Sequence, residues 1–73
     1  MRCHDLANQL LDYADARDRD GYRAERDRIR REYGSDEARD AERWVRIALN
    51  AKRNNATPGW RSTYLSQKGH QHG

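Results

Sequence analysis

Residues 36–53 read DEARDAERWVRIALNAKR, and they carry the strongest helical signal in the chain. On a helical wheel of about 100° per residue, the apolar side chains of this segment fill roughly half of the circumference. These side chains are Ala38, Ala41, Trp44, Val45, Ile47, Ala48, Leu49 and Ala51. Because charged side chains occupy the opposite side, the segment predicts an amphipathic helix that supplies the core of a small domain.

Two further helices are predicted on the N-terminal side of this segment. The second of them ends near residue 33 and begins after Asp18 or Asp20, since either residue suits the N-cap position. The first covers about residues 4–17, where apolar side chains recur at helical spacing as Leu6, Leu10, Tyr13 and Ala14.

Gly34-Ser35 separates the second predicted helix from the third. Glycine suits the left-handed position that follows a helix, and serine suits the N-cap of the next one. The two helices are therefore expected to form an αα-hairpin.

The sequence changes character after residue 53 and becomes polar, with no acidic residue to the end of the chain. A short helical turn that opens at Thr57-Pro58 would bring Trp60 and Tyr64 together. Trp60 then either anchors this segment on the helices or presents an aromatic ring to a partner. Beyond Leu65 we expect disorder.

The predicted fold is all-α, because few residues are β-branched and charges interrupt every alternating pattern. We expect a small three-helix domain over residues 1–56. A flexible basic C-terminal tail, mobile or partly docked, is expected over residues 57–73.

Composition limits the function classes. The chain has 73 residues, of which 34% are hydrophobic and none is Phe, so its core is thin and leaves little interior for a catalytic pocket. We therefore expect a noncatalytic protein without cofactor. No apolar run approaches a membrane span, and no secretory leader follows the first residues. The single Cys3 fits a reducing compartment, so we expect a cytoplasmic protein, and we also expect a monomer.

Basic and acidic side chains are unevenly distributed. Residues 1–38 carry eight basic and ten acidic side chains, whereas residues 39–73 carry seven and two. Asp12, Asp15 and Asp18 form an acidic cluster near the end of the first predicted helix, where carboxylates oppose the helix dipole. Such a cluster suits a basic partner segment, and the alternative interpretation is a solvated surface that keeps the protein soluble.

Arginines recur along one face of the third predicted helix. Arg39, Arg43 and Arg46, hereafter the arginine stripe, lie three or four residues apart. Their guanidinium groups suit phosphate or carboxylate partners, because each can donate two parallel hydrogen bonds. The alternative is a solvated face neutralised within the helix by the carboxylates of Asp36, Asp40 and Glu42.

Cys3-His4 and His70-x-His72 together contain four residues of zinc-ligating type. Both pairs lie in terminal segments rather than in one tight turn, so we do not predict a metal site. No nucleophile and base fall together on an element that we expect to be rigid, and no glycine-rich phosphate loop occurs.

The segments MRCHDL at 1–6, RWVR at 43–46 and GHQHG at 69–73 carry a resemblance to a known class. The chain resembles the small RNA polymerase-binding regulators of a lytic Xanthomonas phage. This resemblance implies a protein that binds host RNA polymerase at the β′ N-terminal segment and the β flap. It further implies that the protein weakens σ-dependent promoter recognition, inhibits the initiation of transcription and promotes antitermination. The acidic cluster and the arginine stripe are our candidate partner-binding residues, chosen on electrostatics.

Two other interpretations remain open. The first is a small basic nucleic-acid-binding module that uses the helix over 36–53 and the tail, although weak, nonspecific nucleic-acid binding is also compatible with a polymerase regulator. The second is an antidefence or antitoxin-like protein that blocks another host complex.

Overall fold

The computed structural model describes residues 2–70, and these residues form four α-helices with no β-strand among them. The helices are α1 (Arg2–Asp15), α2 (Arg19–Tyr33), α3 (Ser35–Arg53) and α4 (Gly59–His70). The all-α prediction is confirmed. The count differs from the three helices expected, because α4 occupies most of the segment that the sequence assigns to the tail.

A tight turn joins α1 to α2. The backbone N–H of Asp18 donates to the carbonyl of Tyr13 at 3.0 Å, and the N–H of Arg17 donates to Ala14 at 3.1 Å, which is the Schellman pattern. Arg17 consequently has a positive φ of 58°. Asp18, one of the two N-caps predicted, caps α2 by accepting the backbone N–H of Gly21 at 2.9 Å.

A single residue, Gly34, joins α2 to α3. Its N–H donates to the carbonyl of Arg30 at 3.0 Å, and its own carbonyl accepts the N–H of Ala38 at 3.2 Å. Its φ of 99° and ψ of 165° belong to a region that only glycine adopts readily. The predicted hairpin forms, but Ser35 is the first residue of α3 and not its N-cap, because Gly34 occupies that position.

The core lies between α1, α2 and α3. Ile29 is the one buried apolar residue of α2 among those described. Ile47 and Leu49 of α3 are each 40% exposed, so the buried face is narrower than the apolar arc of the sequence. The other buried apolar residues are Leu6, Ala7, Leu10 and Leu11 of α1 and Ala38, Ala41, Val45 and Ala48 of α3.

Helix α4 packs against α1. It opens where the carbonyl of Pro58 accepts the N–H groups of Arg61 at 3.0 Å and Ser62 at 2.9 Å. The half-buried Trp60 packs on the edge of the core, which corresponds to the anchoring alternative. The helix continues past Leu65, where the sequence predicts the end of ordered structure.

A cluster of three rings joins the N-terminal helix to the last one. The ring of His4 stacks on Trp60 with 5.0 Å between centroids, and it meets Trp44 edge-on at 4.6 Å. Trp44 and Trp60 are 6.1 Å apart in a T-shaped arrangement. These contacts secure the start of α4 on α1 and α3.

Across residues 2–70, no helix combines the length and the apolar character that crossing a membrane would require.

Candidate functional site

Two of the three residues of the acidic cluster are bound within the protein. Arg61 of α4 places one guanidinium nitrogen 3.2 Å from Asp12 Oδ1 and another 2.9 Å from Asp15 Oδ2. The side chain of Arg61 is only 6% exposed. A buried guanidinium requires such partners, because an unpaired charge away from water is strongly destabilising.

Asn8 completes the surroundings of Arg61. This buried residue offers both its backbone carbonyl and its side-chain oxygen to Arg61 Nη1, each at 3.3 Å. Arg61 therefore reaches acceptors on three residues of α1, Asn8, Asp12 and Asp15. The guanidinium fixes the position of α4 along α1.

Further cationic and hydroxyl groups surround the same carboxylates. The Tyr64 hydroxyl donates to Asp12 Oδ2, and Lys68 Nζ lies 3.3 Å from that oxygen. Lys52 Nζ of α3 lies 3.4 Å from Asp15 Oδ1. The hydrogen bond to Asp12, together with burial and the negative charge of that carboxylate, raises the pKa of Tyr64 above its usual value.

The basic segment that complements Asp12 and Asp15 is thus α4 of the same chain. Asp18 lies apart from this contact, since its side chain caps α2. The sequence did not reveal the pairing, because Arg61 lies 46 residues beyond Asp15 and in a segment predicted as a tail.

The arginine stripe is exposed on α3. Within residues 2–70, none of its three guanidinium groups makes an ion pair within 4.0 Å. The ion pairs within α3 that the alternative interpretation assigns to Asp36, Asp40 and Glu42 do not form within 4.0 Å in the described residues. Glu42 instead faces Arg26 of α2 at 3.7 Å. The three guanidinium groups are therefore free to contact a partner, beside the exposed carboxylates of Asp36 and Asp40 on the same helix.

The structure does not join the acidic cluster and the arginine stripe into one patch. Asp12 and Asp15 face α4, whereas the arginine stripe lies on the side of α3 that points away from the buried Ala41, Val45 and Ala48. A partner that contacts the stripe therefore meets a basic surface.

A second basic feature lies at the connection between α1 and α2. Four arginines and two tyrosines surround an open cavity of about 460 Å³. We call it the arginine cavity; its charged and aromatic lining consists of Tyr13, Arg17, Arg19, Tyr22, Arg23 and Arg26, beside Ala14 and Asp18. In the sequence, Arg17 and Arg19 alternate with Asp18 and Asp20.

The candidate zinc ligands are not assembled in the part of the chain that the structure describes. His4 is enclosed by Trp44 and Trp60, and Cys3 is a half-buried free thiol. No group of three or more His, Cys, Asp or Glu side chains that suits a metal ion occurs there. The side chain of His70 and all of His72 lie outside the described residues.

Comparisons of this chain with protein-family models, with curated proteins and with solved structures found no match.

Proposed function

We propose that this protein is a noncatalytic phage regulator that binds host bacterial RNA polymerase in the bacterial cytoplasm. In this proposal it inhibits transcription initiation and promotes antitermination, with contacts at the β′ N-terminal segment and the β flap. The resemblance of the sequence to small polymerase-binding phage regulators supports the identity of the partner. The observation that carries the binding surface is the exposed arginine stripe, which makes no ion pair within residues 2–70.

The arginine stripe is suited to an acidic protein surface. Three guanidinium groups on successive turns can each hold a carboxylate through two parallel hydrogen bonds. Exposed complementary charge also accelerates encounter with a large partner and favours one orientation of binding. Inhibition further requires that the protein bind more tightly to a polymerase state without productive σ contact than to the competent state. Equal affinity for the two states would not change their populations.

Asp12 and Asp15 have an indirect role in this proposal. They hold Arg61 and thereby position α4, so charge reversal at either residue disturbs the fold before it reports on a partner. Asp18 similarly serves α2 as its N-cap. The arginine stripe is therefore the better site for testing partner contact.

A nucleic-acid-binding module is the second candidate function. The same free guanidinium groups favour it, because they also suit phosphates. One observation argues against this function. Asp12 lies within ion-pair distance of both Arg61 and Lys68, so the two cations of α4 are partly neutralised within the protein. If all three stripe arginines contacted phosphates of duplex DNA, a plot of the logarithm of affinity against the logarithm of salt concentration would have a slope of about −2.7.

Retention of purified RNA polymerase on the immobilised protein tests the proposal. Arg39→Gln/Arg46→Gln removes two stripe charges, and Arg19→Gln/Arg23→Gln is a matched control that removes two exposed charges from α2. We expect the wild type and the control to retain polymerase and the stripe variant to lose it. No retention by the wild type would refute polymerase binding, and equal retention by both variants would exclude the stripe as the contact.

A further inference from the structure

The arginine cavity has the size of a small-ligand site. Its volume of about 460 Å³ falls within the range of roughly 300–1,000 Å³ that is typical of such sites. Its walls come from the end of α1, the connecting turn and the first two turns of α2. None of the stripe arginines lines it.

The charge of this cavity is positive and largely uncompensated. Within residues 2–70, Arg17, Arg19 and Arg23 have no carboxylate within 4.0 Å. Asp18 is the one acidic residue of the lining, and its side chain accepts the N–H of Gly21. Arg26 approaches Glu42 and Asp27 only at 3.7 and 3.9 Å, and its buried Nε has no hydrogen-bond partner.

Arg17 occupies a backbone position that normally favours another residue type. It is the left-handed residue after α1, where Gly is preferred and Asn is tolerated. Asn55 fills the equivalent position after α3, with a φ of 57°. Strained conformations of this kind concentrate at functional sites, and this one places an arginine at the cavity.

The aromatic part of the lining distinguishes between anionic ligands. Tyr13 is 36% exposed and Tyr22 is half-buried. The phenol of Tyr22 is neutral at neutral pH, as tyrosines normally are, so it does not repel an anion; burial raises its pKa further. An acidic peptide would engage the guanidinium groups alone. A nucleotide would also use the ring faces, because bases stack on aromatic side chains.

We propose that the arginine cavity binds a nucleotide, free or as a unit of single-stranded nucleic acid, with phosphate on the arginines and the base against the tyrosines. This site goes beyond the proposed function, and its test contains no polymerase. The two proposals therefore fail independently.

Equilibrium binding to the full chain tests this site with three probes, adenosine triphosphate, a short single-stranded RNA and a polyglutamate peptide. We expect Arg19→Gln/Arg23→Gln to weaken nucleotide and RNA binding by about tenfold or more, because charge-assisted contacts are lost. The stripe variant Arg39→Gln/Arg46→Gln removes the same charge and should change either affinity by less than about twofold. An equal loss of affinity in both variants would show that binding depends on general charge attraction, and it would overturn the proposal.

Tyr13→Leu separates base recognition from phosphate attraction. It should weaken adenosine triphosphate binding about fivefold or more through lost stacking and leave inorganic triphosphate unaffected. Because Tyr13 also packs near Gly21, amide chemical shifts of the wild type provide a second measurement. Shifts centred on residues 13–26 support the site, and shifts centred on residues 39–53 contradict it. Polyglutamate binding as tight as RNA binding would overturn the assignment of the ligand.

The source of the nucleotide follows from the same titrations. Saturable binding of adenosine triphosphate to the cavity supports a free nucleotide. Binding of RNA that is lost in the cavity variant, with no measurable binding of the mononucleotide, supports a single strand. Binding of neither probe overturns the proposal.

Discussion

Arg61 of α4 lies 2.9 Å from Asp15 of α1, and it is the most deeply buried charged residue that connects the last helix to the first. Its guanidinium is nearly enclosed by protein, and acceptors on Asn8, Asp12 and Asp15 satisfy it there. Few apolar contacts support α4, since Leu65 is 44% exposed and Trp60 is half-buried. The position of α4 therefore depends on this polar contact together with the packing of Trp60 against His4 and Trp44.

Replacing Arg61 by Met should destabilise the protein and release α4. Breaking a buried ion pair costs about 3–5 kcal/mol, and we expect the lower end because Asp12 and Asp15 are 27 and 45% exposed and can rehydrate. Urea unfolding followed by far-ultraviolet circular dichroism gives the change in unfolding free energy.

Lys68→Met is the matched control for this variant. Lys68 also approaches Asp12, but it is 50% exposed, so its loss should cost less than about 1 kcal/mol. If both variants were equally stable, Arg61 would not be the residue that fixes α4.

Alkaline pH should weaken the contact between Tyr64 and Asp12. The pKa of Tyr64 is higher in the folded protein than its usual value of 10.0, so the folded state holds the phenolic proton more tightly than the unfolded chain. This stabilisation is complete below the usual pKa and is lost as the pH rises through the raised one. Unfolding free energy measured between neutral and strongly alkaline pH should therefore fall more steeply for the wild type than for Tyr64→Phe. Parallel curves would contradict this role for Tyr64.

Gly21→Ala should destabilise the α1–α2 connection although alanine favours helices. A Cβ at this position would lie 2.5 Å from Asp18 Oδ2 and 2.6 Å from the Tyr13 ring. We expect a net loss of about 1–3 kcal/mol in thermal or urea unfolding. Gly59→Ala is the control, because nothing lies within 4 Å of its Cβ position, and it should be neutral or slightly stabilising. A stabilising Gly21→Ala would show that Tyr13 does not pack there.

Arg17→Gly should stabilise the fold. The left-handed conformation of Arg17 costs a residue with a side chain about 1 kcal/mol, and glycine adopts it freely. A higher midpoint of urea unfolding, with an unchanged dependence of free energy on urea concentration, is the expected result. A lower midpoint would mean that contacts of the Arg17 side chain outweigh the backbone strain.

Local signals were sufficient to predict the first three helices and the glycine between α2 and α3, but not the turn after α1 or the cap of α3. Apolar spacing identified part of each buried face, including Leu6 and Leu10 of α1, although Tyr13 of the predicted face is 36% exposed. Gly34 marked the hairpin. Asp18 was one of two predicted caps of α2. These features depend on residues within a few positions of each other, which is the range over which helical periodicity and capping act.

The attachment of α4 could not be predicted in the same way. It depends on Arg61 meeting Asp12 and Asp15 across more than 45 residues, and on His4 stacking against Trp60. A polar residue that becomes buried through a distant partner has no periodic signature in the sequence. The same limit applies to the arginine cavity, which forms only because the turn at Arg17 folds α2 back beside α1.

In vitro transcription from a σ-dependent promoter with purified host polymerase tests the proposed function most directly. We expect the wild-type protein and Arg19→Gln/Arg23→Gln to inhibit initiation and to increase readthrough at a terminator, whereas Arg39→Gln/Arg46→Gln should do neither. Unchanged initiation and termination at saturating wild-type protein would refute the proposed function.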